Sequence, residues 1–101
     1  MPRAELSPYA EEDVREIWRY TVETSSEEQA QTYVEGLFDM MEALAAAPNR
    51  GRPAGDISEG LRRQRCAAHV IFYRLIDDGI RVVRVLHQSM DFPAHLANDE
   101  A

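Results

Sequence analysis

LRRQRCAAHVIFYRLIDDGIRVVRVLHQSMD, residues 61–91, is where the apolar period of the chain changes from helical to extended. Leu61 to Ala67, His69 to Ile76 and Ile80 to His87 each read as a strand, the last two rich in β-branched and aromatic residues. Asp78-Gly79 suits the positive dihedrals of a tight hairpin turn, so the last two strands pair antiparallel and all three form a meander. Strict alternation puts Arg63 and Arg65 on one face of the first strand and Arg62, Gln64 and Cys66 on the other. In the last strand it sets Val83, Val85 and His87 against Val82, Arg84 and Leu86.

Upstream, the period is helical. After a short possible strand at Arg3 to Leu6, Ser7 is placed to N-cap a helix with Pro8 at its first position, and Glu11, Glu12 and Asp13 sit at the positive end of its dipole. Ala10, Val14, Ile17, Trp18 and Thr21 form its apolar stripe to about Thr24, with Trp18 as a core anchor. Ser26 and Gln29 match the capping-box pattern of a longer second helix, whose stripe is Ala30, Tyr33, Val34, Leu37, Phe38, Met41, Leu44 and Ala45. Met40 and Met41 are gap-fillers of that core. Pro48, Asn49 and Gly51 end it, and residues 48–60 are an irregular connection rather than a domain boundary. The fold class is therefore α+β, one domain over residues 1–101, with a two-helix hairpin covering one face of a small antiparallel sheet. The opposite face is expected to be left for solvent or a partner.

A chain of 101 residues supports one core and has no room for separate cofactor and substrate domains. No apolar run nears the roughly 18 residues that span a bilayer, and the N-terminus has no basic segment followed by an apolar one, so a cytoplasmic protein is expected. The single Cys66 reads as a small buried hydrophobe rather than a nucleophile. The net charge of −7 is unevenly spread: residues 1–47 hold eleven acids and three arginines, residues 48–84 four acids and eight arginines, and residues 85–101 three acids and no base. All eleven basic residues are Arg, which favours fork-like recognition of carboxylate or phosphate, although a codon bias toward Arg gives the same pattern.

The segments HVIFYR (His69 to Arg74) and RVLHQSMD (Arg84 to Asp91), preceded by two helices of which the first holds Glu16-Ile17-Trp18 and Tyr20, resemble the ParE branch of the RelE/ParE toxin superfamily over nearly the whole chain. The resemblance implies a non-enzymatic toxin that inhibits DNA gyrase, neutralised by a ParD-like antitoxin whose C-terminal segment wraps it. No cofactor is implied. Arg62, Arg63, Arg65, Arg74, Arg81 and Arg84 are the candidate receptor for an acidic amphipathic antitoxin segment, through bidentate carboxylate pairs beside apolar pockets. The competing reading is that several of them pair with acids of the helices. His87, Ser89, Met90, Asp91 and Phe92, in the segment Leu86 to Leu96, are the candidate target-binding tip; alternatively Met90, Phe92 and Leu96 fold back to cap the core.

The enzymatic alternative is the sister branch, in which RelE-like toxins cut messenger RNA on the ribosome. Arg63 and Arg65 match its central basic positions. After Arg84, however, no Lys, Arg or Tyr follows, and Asp91, Asp99 and Glu100 make the end acidic, which opposes phosphate contact. His87 and His95 remain as acid-base candidates. His69 and His87 lie on neighbouring strands and are able to meet, and a structural pair is expected there rather than a metal site. No Gly-rich phosphate loop and no spaced Cys/His set is present.

Overall fold

A computed structural model describes residues 1–96. The element order is β1 (Arg3–Leu6), α1 (Pro8–Thr24), α2 (Glu27–Ala46), a 3-10 turn (Pro48–Arg50), β2 (Arg52–Pro53), β3 (Arg62–Cys66), β4 (His69–Ile76), β5 (Gly79–His87) and a short α3 (Phe92–Leu96). Both long helices start as their sequences require. Ser7 Oγ accepts the Ala10 N–H at 3.0 Å, and Ser26 Oγ accepts the Gln29 N–H at 3.0 Å.

The five strands form one sheet in the order β1-β5-β4-β3-β2. The antiparallel meander of β3, β4 and β5 is its centre, but the sheet is mixed, because β1 runs parallel to β5 with Arg3 opposite Gly79. This pairing changes the role of Gly79. The hairpin loop is Asp77-Asp78, and Gly79 is the first residue of β5, where a Cβ would stand 1.8 Å from the Arg3 carbonyl oxygen. The glycine is needed for close approach of β1 as well as for its φ of +153°.

Strict alternation fails in β5. A bulge between Phe72 and Tyr73 of β4 pairs Phe72 with Arg84 and Tyr73 with Val82, so that Val83 is the extra residue. Val82 and Val85 consequently share the core under the helices with Ile71 and Tyr73, while Val83 and Leu86 share a second cluster with Val70 and Phe72. The face away from the helix pair is therefore not left open along its length. Ala54, Ile57 and Leu61, from the connection after α2 and the approach to β3, and Phe92 and Leu96 at the C-terminal end cover it. The physical reason is that β4 and β5 are apolar on both sides, and such strands need a layer on each face.

Under the helices, Ala10, Val14 and Ile17 meet Leu37, Met41, Leu44 and Ala45. Trp18 does not anchor this core; it is 37% exposed. At about 100° per residue it falls on the shoulder of the stripe that Ala10, Val14, Ile17 and Thr21 define. Phe38 of α2 is likewise exposed, and Met40 packs at the margin while Met41 is buried.

A polar contact locks α1 to the sheet. Asp13 Oδ2 accepts Arg84 Nε–H at 2.7 Å and the Val85 backbone N–H at 2.9 Å, while Oδ1 accepts Arg84 Nη2–H at 2.9 Å. Both side chains are only 14% exposed. Replacing Asp13 with Ala leaves the Arg84 charge and the Val85 N–H behind. A loss of about 3–5 kcal/mol in denaturant unfolding is expected, with a much smaller loss for an exposed control such as Glu12→Ala.

Candidate functional site

The six arginines divide by what holds them. Arg84 is gripped by Asp13, donates to the His95 carbonyl at 3.1 Å and lies over the Tyr9 ring. Arg81 pairs with Glu5 of β1. Arg74 donates to the Glu59 carbonyl at 2.6 Å and to Ser58 Oγ at 2.7 Å, and Arg62 donates to the carbonyls of Asn49 and Gly51, so both fasten the connection that follows α2. Pairing with a helix acid is thus realised at Arg84.

Arg63 and Arg65 differ from these. They stand opposite Phe72 and Val70, on the face away from the helix pair, and line a cleft of about 460 Å3 with Arg52, Gln64, Gln88, Val70 and Phe92. Arg65 Nε–H donates to the Ala67 carbonyl at 3.1 Å, and Arg63 Nε, like that of Arg62, is buried without a hydrogen-bond partner. Arg52 is a residue that sequence reasoning missed. It enters the cleft because β2 places it opposite Arg63, a two-residue pairing inside a segment that reads as irregular. Three guanidiniums beside an aromatic and an aliphatic wall suit a carboxylate-bearing, partly apolar ligand.

A second concavity, of about 740 Å3, lies on the helix side, between α1 and the end of β5. His69 and His87 meet at its base as cross-strand partners, rings edge to face at 5.3 Å. Tyr33 of α2 accepts the Ala68 backbone N–H at 3.1 Å, and its hydroxyl is also hydrogen bonded to His69 Nδ1, 2.6 Å away. His87 Nδ1 accepts the Ser89 backbone N–H at 3.1 Å and lies 2.7 Å from Ser89 Oγ. The Nδ1 atoms of both imidazoles are thereby engaged. Burial, reinforced by the neighbouring His87, holds the His69 pKa below its ordinary value. Burial also raises Tyr33 and Cys66; the Cys66 thiol reaches toward the Gly36 carbonyl at 3.8 Å and packs against the core as a hydrophobe. Among the described residues no group of three or more His, Cys, Asp or Glu is placed to hold a metal ion. No helix among them is long and apolar enough to cross a membrane.

The tip segment divides in the same way as the arginines. Met90 is 43% exposed. Phe92 packs edge to face on Phe72 at 5.0 Å and Leu96 is buried, so these two residues cap the second cluster. Asp91 accepts the Ala94 N–H at 3.4 Å and starts α3. Asp99 and Glu100 lie outside the described residues.

Residues 4–92 match the family described as the ParE toxin of the type II toxin-antitoxin system parDE. The chain is 41% identical to Toxin ParE1 of Caulobacter vibrioides over 90% of its length and 94% of that relative. It is 39% identical to Toxin ParE1 of Mycobacterium tuberculosis with the same coverage, and 31% identical to Toxin ParE of Escherichia coli over 92% of this chain and 91% of that one. A solved structure described as the chromosomal ParDE TA system from P. aeruginosa shares the fold, with a TM-score of 0.74 at 18% identity, covering 86% of this chain and 96% of that one.

The depressed His69 sets a pH dependence. Between its folded pKa and its ordinary value of 6.5 the unfolded chain binds more protons than the folded one. The contribution is therefore complete above about pH 6.5 and lost as the pH falls toward the folded value. Melting curves from pH 7 to pH 5 are expected to show a falling Tm, flattened in His69→Phe. An equal fall in that variant would remove His69 as the cause, since Glu5 and Asp78, held low by hydrogen bonds from Arg81 and Arg3, titrate further down.

Proposed function

The chain belongs to the ParE toxin family of type II toxin-antitoxin systems, and we propose that it inhibits DNA gyrase in the cytoplasm by binding alone and is neutralised by a ParD-like antitoxin. The observation that carries this reading is the 41% identity to a ParE1 toxin across 90% of the chain. The antitoxin's acidic segment docks at Arg63 and Arg65 with Arg52 beside them, because these arginines line a cleft with apolar walls while Arg81 and Arg84 are committed to Glu5 and Asp13. Arg62 and Arg74 contribute by shaping the connection that borders this face. The target is met by the half-buried His87 and the exposed Ser89 and Met90 of the tip, with Asp91 and Phe92 holding the turn in place.

A RelE-like ribonuclease is the weaker reading. Its chemistry needs basic residues gathered around an acid-base group that reaches the 2′-hydroxyl. Here Arg63 and Arg65 lie on the face opposite the one where His69 and His87 join Tyr33.

Expression without antitoxin is expected to halt bacterial growth with filamentation and a DNA-damage response, and purified protein to block supercoiling by gyrase. Arrested translation with transcripts cut at codons, while gyrase stays active, would replace this reading by the ribonuclease. For the antitoxin, the double substitution Arg63→Glu and Arg65→Glu should weaken binding by several kcal/mol in a titration, because it sets like charges against an acidic segment. Unchanged affinity would take both residues out of the contact.

A further inference from the structure

The helix-side groove is built unlike the arginine cleft. Ile17, Val85 and Met90 supply apolar surface, and Tyr20, 68% exposed, stands on the α1 wall while Met90, 43% exposed, stands on the tip wall. Large apolar groups left in water on two sides of one concavity mark a contact surface. Its charge is also opposite in kind. Among the described residues no Arg lines it; its imidazoles, His69 and His87, have their Nδ1 atoms engaged by Tyr33 and Ser89, and Asp13 is already satisfied by Arg84. Glu16 remains on the rim, half exposed, on a helix that carries five acids against two arginines; its partner is Arg19 of the same helix, itself half exposed, and so open a pair is weak enough for an incoming cation to share the carboxylate. The exposed Tyr20 ring beside it offers a π face to a cation.

Resting on the target-inhibition reading above, we infer that this groove is where the toxin holds its target, and that the occupant is a target segment with an apolar side chain flanked by Lys or Arg. The apolar group enters between Tyr20 and Met90, and the cation meets Glu16 and the Tyr20 ring. An acidic antitoxin segment is disfavoured here by the same carboxylate, and it has the arginine cleft on the other face. The two sites share one piece of chain: Ser89 and Met90 line the groove, whereas Gln88 and Phe92 line the cleft.

The test uses the full chain in a gyrase supercoiling assay, with antitoxin affinity, thermal melting and sedimentation measured alongside. Tyr20→Ala and Glu16→Lys, both at exposed positions, should each raise the inhibitory concentration at least tenfold. They should leave the melting temperature and antitoxin affinity near the wild-type values. Two variants that inhibit like the wild type while Met90→Ala does not would overturn the groove and leave the target reading standing. A wild-type protein that does not touch gyrase would overturn both. Loss of antitoxin binding in the two variants would give the groove to the antitoxin, and loss of a dimer seen in the wild type would give it to a second copy; either result overturns the assignment.

Discussion

The carboxylate of Asp13, held between a helix and the bulged strand of the sheet, sets the geometry on which the remaining contacts depend. It takes three donors at once, two from the Arg84 guanidinium and one from the Val85 backbone. Six residues earlier, Ser7 binds the same strand, through its N–H to the Val82 carbonyl at 2.9 Å and its hydroxyl to the Val83 carbonyl at 2.8 Å. These bonds reach residues 82–85, where the bulge has shifted the alternation. A buried ion pair is a weak source of net stability but a strong source of specificity, because few placements of the helix satisfy all three donors. One clamp is the N-cap of α1 and the other lies in its first half. Its second half, from Glu16 to Thr24, has no such tie to the sheet among the contacts described and borders the helix-side groove.

The same clamp explains why an acidic protein presents a basic face. Architecture consumes arginines at the sheet's β1 and β5 side: Arg3 joins Glu5 and Asp78, Arg81 joins Glu5, and Arg84 joins Asp13. The arginines of β2 and β3 have no acid within ion-pairing distance among the described residues, so Arg52, Arg63 and Arg65 gather in one cleft. Net charge of the whole chain is thus a poor guide to any single surface. Glu11, Glu12 and Glu16 of α1 pair along the helix, the first two with Arg15 and the third with Arg19, and keep their potential on the helical side.

Local chemistry was readable from residue order. The Ser7 and Ser26 caps, the limits of α1, the strands from His69 and to His87, and the cross-strand meeting of the two histidines all follow from capping chemistry and period. What escaped depends on contacts distant in sequence. The parallel partner of β1 is about 75 residues away, so Gly79 reads as a turn residue until Arg3 is placed against it. The bulge at Val83 leaves no mark in the sequence of β5, where Val82 and Val83 are alike, and without it Val83 and Val85 share a face. The second cluster needs Ala54, Ile57 and Leu61, small or isolated apolar residues in a segment dominated by Gly, Pro and Arg. In the candidate sites, the arginines were visible by type but not by commitment, because the acids that engage Arg81 and Arg84 lie more than 70 residues earlier.

The C-terminal turn shows why fold and function are hard to separate in so small a domain. Met90 is exposed, yet the chain on either side of it is fixed. Before it, Ser89 is tied to the His87 ring and the Met90 N–H to the His87 carbonyl at 3.0 Å. After it, Phe92 stacks on Phe72 and Leu96 is buried. A side chain presented from a turn anchored at both ends loses little conformational freedom on binding, which favours recognition by a short segment. The anchors serve the second cluster as well, so removing everything after His87 exposes Phe72 and Val70 along with deleting the tip. A substitution at Met90, whose side chain is exposed, therefore disturbs the packing less than one at Phe92 or Leu96.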